Sequence, residues 1–178
     1  MPDCWQRSEV IALPARIGLV ADTHRRSGSL LGLPEQLLRG LEGCDLILHA
    51  GDFNAIAVSD ALAEIAPVFG VHGNNDEPEV MRALPAARYF VAGEIRLGLI
   101  HGHQAVRNAR GAALEAMRGR VDCVVYGHSH MPDYSREDGL LLVNPGSPTQ
   151  RRRAEQRSFA IMTIDASSKL DVEFVSVT

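Results

Sequence analysis

The chain is organised by one repeated device, a short aliphatic run that ends abruptly in glycine, a carboxylate or a histidine. It occurs at Arg16–His24 (RIGLVADTH), Asp45–Asp52 (DLILHAGD), Val68–Asp76 (VFGVHGNND), Ile95–His103 (IRLGLIHGH), Val121–His130 (VDCVVYGHSH) and Leu140–Ser147 (LLLVNPGS). Runs this short and this rich in Val, Ile and Leu, without an amphipathic stripe, read as strands buried on both faces. Glycine at each exit lets the chain turn sharply.

Helix-like stretches lie between several of these runs. Pro34–Leu41 opens with proline at a first helical position. Ser59–Ile65 has helical spacing, Glu77–Leu84 is ended by Pro85, and Gln104–Arg118 is stopped by Gly119. In the last third, Leu140–Asn144, Ser158–Asp165 and Lys169–Val177 read as strands with no helix between them, joined in part by a turn at Ser167–Lys169. The expected class is α/β, with two sheets packed face to face and helices outside. One domain is expected over residues 15–178, preceded by an extension at 1–14 that lacks the basic and apolar regions of a signal peptide.

Composition narrows the setting. Hydrophobic residues make up 46 % and charged residues 22 %, as in an ordinary globular domain. No apolar stretch is long enough for a membrane span. The net charge of −4 gives no support to a nucleic-acid-coating role, although bound cations would change the local field. Cys4, Cys44 and Cys123 are too few and too odd in number for a disulfide framework, so a cytoplasmic setting is expected.

All seven histidines fall at or just beyond an expected strand end. Binding sites of open α/β sheets form at the carboxyl ends of strands, where several loops converge. Asp22-x-His24, Gly51-Asp52, Gly73-Asn74, His101 and His128-x-His130 bring carboxylate oxygens, an amide oxygen and imidazole nitrogens there. That mixture suits Mn, Fe, Zn, Ni or Co. It exceeds what one tetrahedral zinc uses and fits two cations sharing a bridge. On an extended segment, residues two apart point to one side, so each x-spaced pair can aim at one site. His49 and His72 are expected to be structural, Asp76 to cap the helix at Glu77–Leu84, and Asn144–Ser147 to form a turn. Arg151–Arg153 with Arg157 read as a solvated loop, whereas Arg25 and Arg26 are placed to meet a substrate phosphate.

The series D-x-H, G-D, G-N-x-D, H-G-H and G-H-S-H, running in that order from Ile17 to about Ser147, resembles the calcineurin-like metallophosphoesterase superfamily. The compact size resembles its small bacterial and archaeal phosphodiesterase branch. The resemblance implies a four-layer αββα sandwich of two mixed sheets and outer helices. It implies one metal position at Asp22, His24 and His130, a second at Asn74, His101 and His128, and Asp52 as the bridge. The implied reaction is hydrolysis of a small phosphorylated substrate by a hydroxide bridging two divalent cations, with Mn²⁺ first and Fe, Ni or Zn as alternatives.

Many members carry G-N-H at the third motif. Here the third residue is Asn75, which has no titratable proton, so the expectation shifts to phosphodiesters with good leaving groups. His103, two residues past His101, is the candidate to replace that proton donor. The candidate catalytic residues are therefore Asp52, Asn74 and His103, and the candidate substrate contacts are Asn75, Arg25 and His103. The resemblance further implies a homodimer. The alternative within the same fold is a non-catalytic protein-interaction scaffold, against which the complete ligand set weighs.

Overall fold

In the computed structural model, which describes residues 8–25, 32–104 and 108–178, each aliphatic run contains a strand that ends at or just before its polar residues. Cys4 and Arg26 lie outside the described residues. In chain order the elements are β1 (Glu9–Ile11), β2 (Ala15–Val20), α1 (Glu35–Leu41), β3 (Leu46–His49), α2 (Ile56–Ala63), β4 (Val68–Gly70), α3 (Pro78–Ala83), β5 (Ala87–Ala92), β6 (Ile95–Ile100), α4 (Ala109–Met117), β7 (Cys123–Val125), β8 (Asp133–Glu137), β9 (Leu140–Asn144), β10 (Arg157–Ile164) and β11 (Leu170–Val177).

One sheet has the order β11-β10-β2-β3-β4 and the other β1-β5-β6-β7-β9-β8. β2, β3 and β4 are parallel, as are β6, β7 and β9, so their carboxyl ends gather on one side. Alternation along β3 shows how the layers form: Leu46 and Leu48 face the opposite sheet, and Ile47 faces the helices. Between the sheets lies a core that includes Ile17, Leu19, Phe90, Leu97, Val125, Val143 and Met162. Leu37 and Leu41 of α1, Val58 and Leu62 of α2 and Val80 of α3 pack on the outer face of the five-stranded sheet. Ala113 and Met117 of α4 cover the outer face of the other against Val124, Tyr126 and Leu142. The result is the expected four-layer sandwich of two mixed sheets with outer helices. α1 approaches so closely that a Cβ on Gly40 would lie 2.3 Å from the Phe159 ring.

Three strands give no aliphatic-run signal. β1 lies inside the 1–14 segment and pairs in parallel with Phe90–Ala92, its Glu9 ion-paired with Arg88. β5 carries Arg88 and Tyr89 within it, and β8 is a polar edge strand, DYSRE, partly exposed along its length. α4 starts at Ala109 rather than Gln104, because the Asn108 side chain accepts the Gly111 N–H at 2.7 Å and fixes the helix start there. α2 starts earlier than expected and ends at Ala63. The turn before β11 is held by the Asp165 carboxylate, which accepts the Ser167 and Lys169 amides. No helix among the described residues is long and apolar enough to cross a membrane.

Candidate metal centre

Six loops leave the carboxyl ends of β2, β3, β4, β6, β7 and β9; they carry six of the seven histidines, and His49 is the last residue of β3. Their backbone departs from the extended form expected of the x-spaced pairs. Asp22, His24, Asp52, Asn54, His128 and His130 have φ of 55°, 46°, 58°, 76°, 67° and 59°, in the left-handed region. That region costs a non-glycine residue roughly 1–2 kcal/mol, and such strain clusters at functional sites. His128 and His130 consequently turn to different sides: His130 joins Asp22 and His24, whereas His128 joins Asp52 and His101.

Within each of these groups the ligand atoms lie within 4.8 Å of one another. His24 Nε2 is 3.1 Å from His130 Nε2, and Asp22 Oδ1 is 3.3 Å from the latter. Asp52 stands between the groups, its Oδ2 3.4 Å from His101 Nε2 and 3.6 Å from His24 Nε2. At 3.4 Å His101 is an electrostatic neighbour of this oxygen rather than a good donor to it. Gly73 makes room for Asp52, since a Cβ there would lie 2.1 Å from Oδ1.

The imidazoles are aimed by their outer nitrogens. His130 Nδ1 donates to the Gln150 carbonyl at 2.8 Å, His101 Nδ1 to the Ala50 carbonyl at 2.7 Å, and His24 Nδ1 to Asn54 Oδ1 at 3.0 Å. Each therefore presents Nε2 inward, the arrangement seen when a second partner orients a metal-ligating histidine. Buried Asp22 Oδ1, His101 Nε2 and His128 Nδ1 have no hydrogen-bond partner. Buried polar atoms left unpaired are costly, and a cation would satisfy all three. The donor set thus fits divalent metal.

Electrostatics agree with ligand roles. Burial pushes the Asp52 carboxyl up, but the pull of His101 and two N–H donors from Asn75 outweigh it and hold the group well below the usual carboxylate range. Burial would lower His101, but the Asp52 and Asp22 carboxylates and the Ala50 carbonyl raise it. His128 is lowered by burial and by His101, which favours the neutral, ligand-ready ring.

The other expected residues are placed as follows. Asn74 is exposed and makes no hydrogen bond among the described residues, whereas the Asn75 amide donates to Asp52 Oδ2 at 2.7 Å and its backbone N–H to Oδ1 at 2.8 Å. His103 lies beside the second group, its ring 5.4 Å from that of His101 and 6.5 Å from that of His128. Burial and its histidine neighbours lower it. The Arg25 side chain lines a separate groove containing none of the cage residues.

His49 is structural: it stacks on Phe53 at 3.5 Å, its Nδ1 accepts the Gly51 amide, and its Nε2 is 3.1 Å from Thr23 Oγ1. Asp76 is not the helix cap that its position suggests. It accepts the amides of Asp52, Asn54 and Gly73, joining the loops after β3 and β4. The Asn144–Ser147 turn does more than reverse the chain. Ser147 Oγ donates to the Asp22 carbonyl at 2.8 Å, and Asn144 Nδ2 to the Gly127 carbonyl at 2.9 Å. Asn54, the Gln150 carbonyl and Thr149, whose Oγ1 donates to the Thr23 carbonyl at 2.8 Å, were not singled out in the sequence, where only their nearness to motif residues could have suggested them.

Residues 16–167 match the family model of the calcineurin-like phosphoesterase superfamily domain. The chain belongs to that superfamily. A protein of Methanothermobacter thermautotrophicus named "Probable metallophosphoesterase" is 32 % identical over 160 residues, covering 89 % of this chain and 91 % of its relative. Vacuolar protein sorting 29 from Cryptosporidium parvum superposes with a TM-score of 0.74 at 22 % identity, covering 93 % of this chain and 98 % of that one. A structure titled as a novel archaeal phosphodiesterase gives 0.67 at 20 % identity, with 90 % and 99 % covered. At these identities the two structures show a shared fold. As a superfamily member with two candidate metal groups, the chain is a metallophosphoesterase by family.

Proposed function

We propose that the chain hydrolyses phosphodiesters at a pair of divalent cations, with Mn²⁺ the first choice. The observation that carries this reading is Asp52, whose single carboxylate lies between the two ligand groups at 3.4 Å and 3.6 Å from one histidine of each. One cation would be held by Asp22, His24 and His130, and the other by Asp52, His101 and His128, with Asn74 completing it. When bound, such a pair supplies positive charge for the phosphoryl oxygens and lowers the pKa of a water.

The chain's own residues do the rest. Asp52 and Asp22 offset part of the cationic charge and leave a net attraction for an anionic ester. The Asn75 amide is committed to Asp52. It therefore holds that carboxylate in place and offers no titratable proton to a leaving group, which favours esters whose leaving groups depart unaided. His103 flanks the second group and is the nearest candidate for that protonation.

Asp52→Asn removes the shared charge and should lower Mn²⁺-dependent hydrolysis of a chromogenic phosphodiester by about 10²–10⁴-fold, the scale of a lost transition-state interaction. Near-normal turnover would sink the assignment. The scaffold alternative draws on the likeness to vacuolar protein sorting 29. It predicts no chelator-sensitive hydrolysis in the parent protein.

A further inference from the structure

Arg25 and Arg157 line one groove of about 440 Å³, together with Gln36 and Thr178. Both are half-buried, and the Nε of Arg25 is buried without an acceptor. Neither guanidinium meets a carboxylate among the described residues. By contrast, Arg39, Arg88, Arg96, Arg110 and Arg118 each hold an acidic partner. Glu35, on the groove wall, is taken by Arg39 at 2.5 Å. Gln36 is occupied by Thr178, giving an N–H to its Oγ1 at 2.6 Å and accepting its amide at 2.9 Å. Residues 26–31, RSGSLL, add no acid to the neighbourhood in sequence. Two partly desolvated guanidinium groups, neither paired with a carboxylate among the described residues, line one groove, where a planar fork can meet the edges of an oxyanion.

The groove is tied to the metal centre through the backbone. Arg25 follows His24 directly, and its amide donates to the Phe53 carbonyl at 2.9 Å beside Asn54, the residue that orients His24. Arg157 precedes Ser158, whose hydroxyl donates to Pro145 O and whose amide donates to Ser147 O. Ser147 in turn holds the Asp22 carbonyl. Each arginine is thus one residue from a segment that fixes a ligand of the first metal group.

We propose that this groove binds a second phosphate of the substrate, one remote from the ester bond that is cut. The word substrate rests on the phosphodiesterase reading; the anion site itself does not. Substrates carrying two phosphoryl groups then bind more tightly than simple diesters.

The first test uses chelator-treated protein, titrated with inorganic phosphate and followed in proton–nitrogen correlation spectra. The Arg25 and Arg157 Nε resonances should shift saturably. Arg157→Ala should weaken that binding about ten-fold, and Arg157→Lys, which keeps the charge without the fork, should fall between. Absence of a saturable shift, or equal binding in parent and both variants, overturns the site. The second test compares KM for thymidine 5′-(4-nitrophenyl phosphate) with and without a 3′-phosphate, in the presence of Mn²⁺. The 3′-phosphate should lower KM in the parent, and Arg157→Ala should erase most of that advantage. If phosphate binds but the advantage survives Arg157→Ala, the anion is not the substrate's own and the proposal fails. Failure of both esters to turn over with phosphate binding intact would remove the phosphodiesterase reading instead.

Discussion

The Nε2 atoms of His24 and His130 face each other at 3.1 Å, and each ring has already given its Nδ1–H to an oxygen. In the neutral rings this sets two lone pairs against each other beside the Asp22 carboxylate. A cation relieves that opposition.

Divalent metal should therefore stabilise the fold. Mn²⁺ at a hundred-fold excess over its Kd should add about 2.7 kcal/mol relative to chelator-treated protein. His130→Ala should remove most of this gain, because it deletes one of the three ligand side chains of its group. Differential scanning calorimetry with and without chelator reads both.

Asn74 and Asn75 should separate in a metal titration. If Asn74 supplies an amide oxygen to the second cation, Asn74→Ala lowers the calorimetric stoichiometry toward one ion per chain. Asn75→Ala should leave the stoichiometry at two but weaken affinity about ten-fold or more, because it acts only by holding Asp52. The reverse pattern would transfer the ligand role to Asn75.

Asp76 joins two loops through three amides, so Asp76→Ala leaves buried N–H groups without acceptors. The loss expected is about 1–3 kcal/mol in stability, with metal affinity down about 10–100-fold. Asp76→Asn, which keeps acceptor capacity on one oxygen, should lie between. Urea unfolding and metal titration of the two variants check this.

How much of this was legible in the sequence follows the physics of each element. The strand ends and their histidines could be read because a buried parallel strand is a bare aliphatic run, and its termination is chemically abrupt. β8 could not, since an edge strand exposes one side and can be as polar as a loop. Asp76 misled because a carboxylate before a helix is a good cap in one dimension, whereas in three it sits beneath the loop carrying Asp52. The x-spaced pairs were read on the wrong backbone: left-handed turns, which sequence does not reveal outside glycine and asparagine, send His128 and His130 into different candidate groups.

Tyr126 gives a pH-dependent prediction in the cluster beneath α4. Its hydroxyl donates to Asp133 Oδ2 at 2.6 Å, and burial followed by that carboxylate raises the phenol above its ordinary value. A raised pKa in the folded state means the contribution is complete below the unfolded tyrosine value of about 10 and is lost as pH rises beyond it. Phenolate absorbance and circular dichroism should show Tyr126 ionising only as the fold is lost. Tyr126→Phe should remove that coincident step and cost about 1–3 kcal/mol at neutral pH, by deleting a buried hydrogen bond to the Asp133 carboxylate, which keeps Ser135 Oγ at 3.0 Å.

The pairing of β2 with β10 has a temporal meaning for a chain that emerges N-terminus first. Asp22 and His24 are made early, yet His24 waits 106 residues for His130, and the Asp22 carbonyl waits 125 for the Ser147 hydroxyl. A nascent chain halted before the His128–His130 turn holds two of the three side chains of each group and no closed site. Capture of a metal would then come late in biogenesis, after β2, β3, β4, β6 and β7 have all been made.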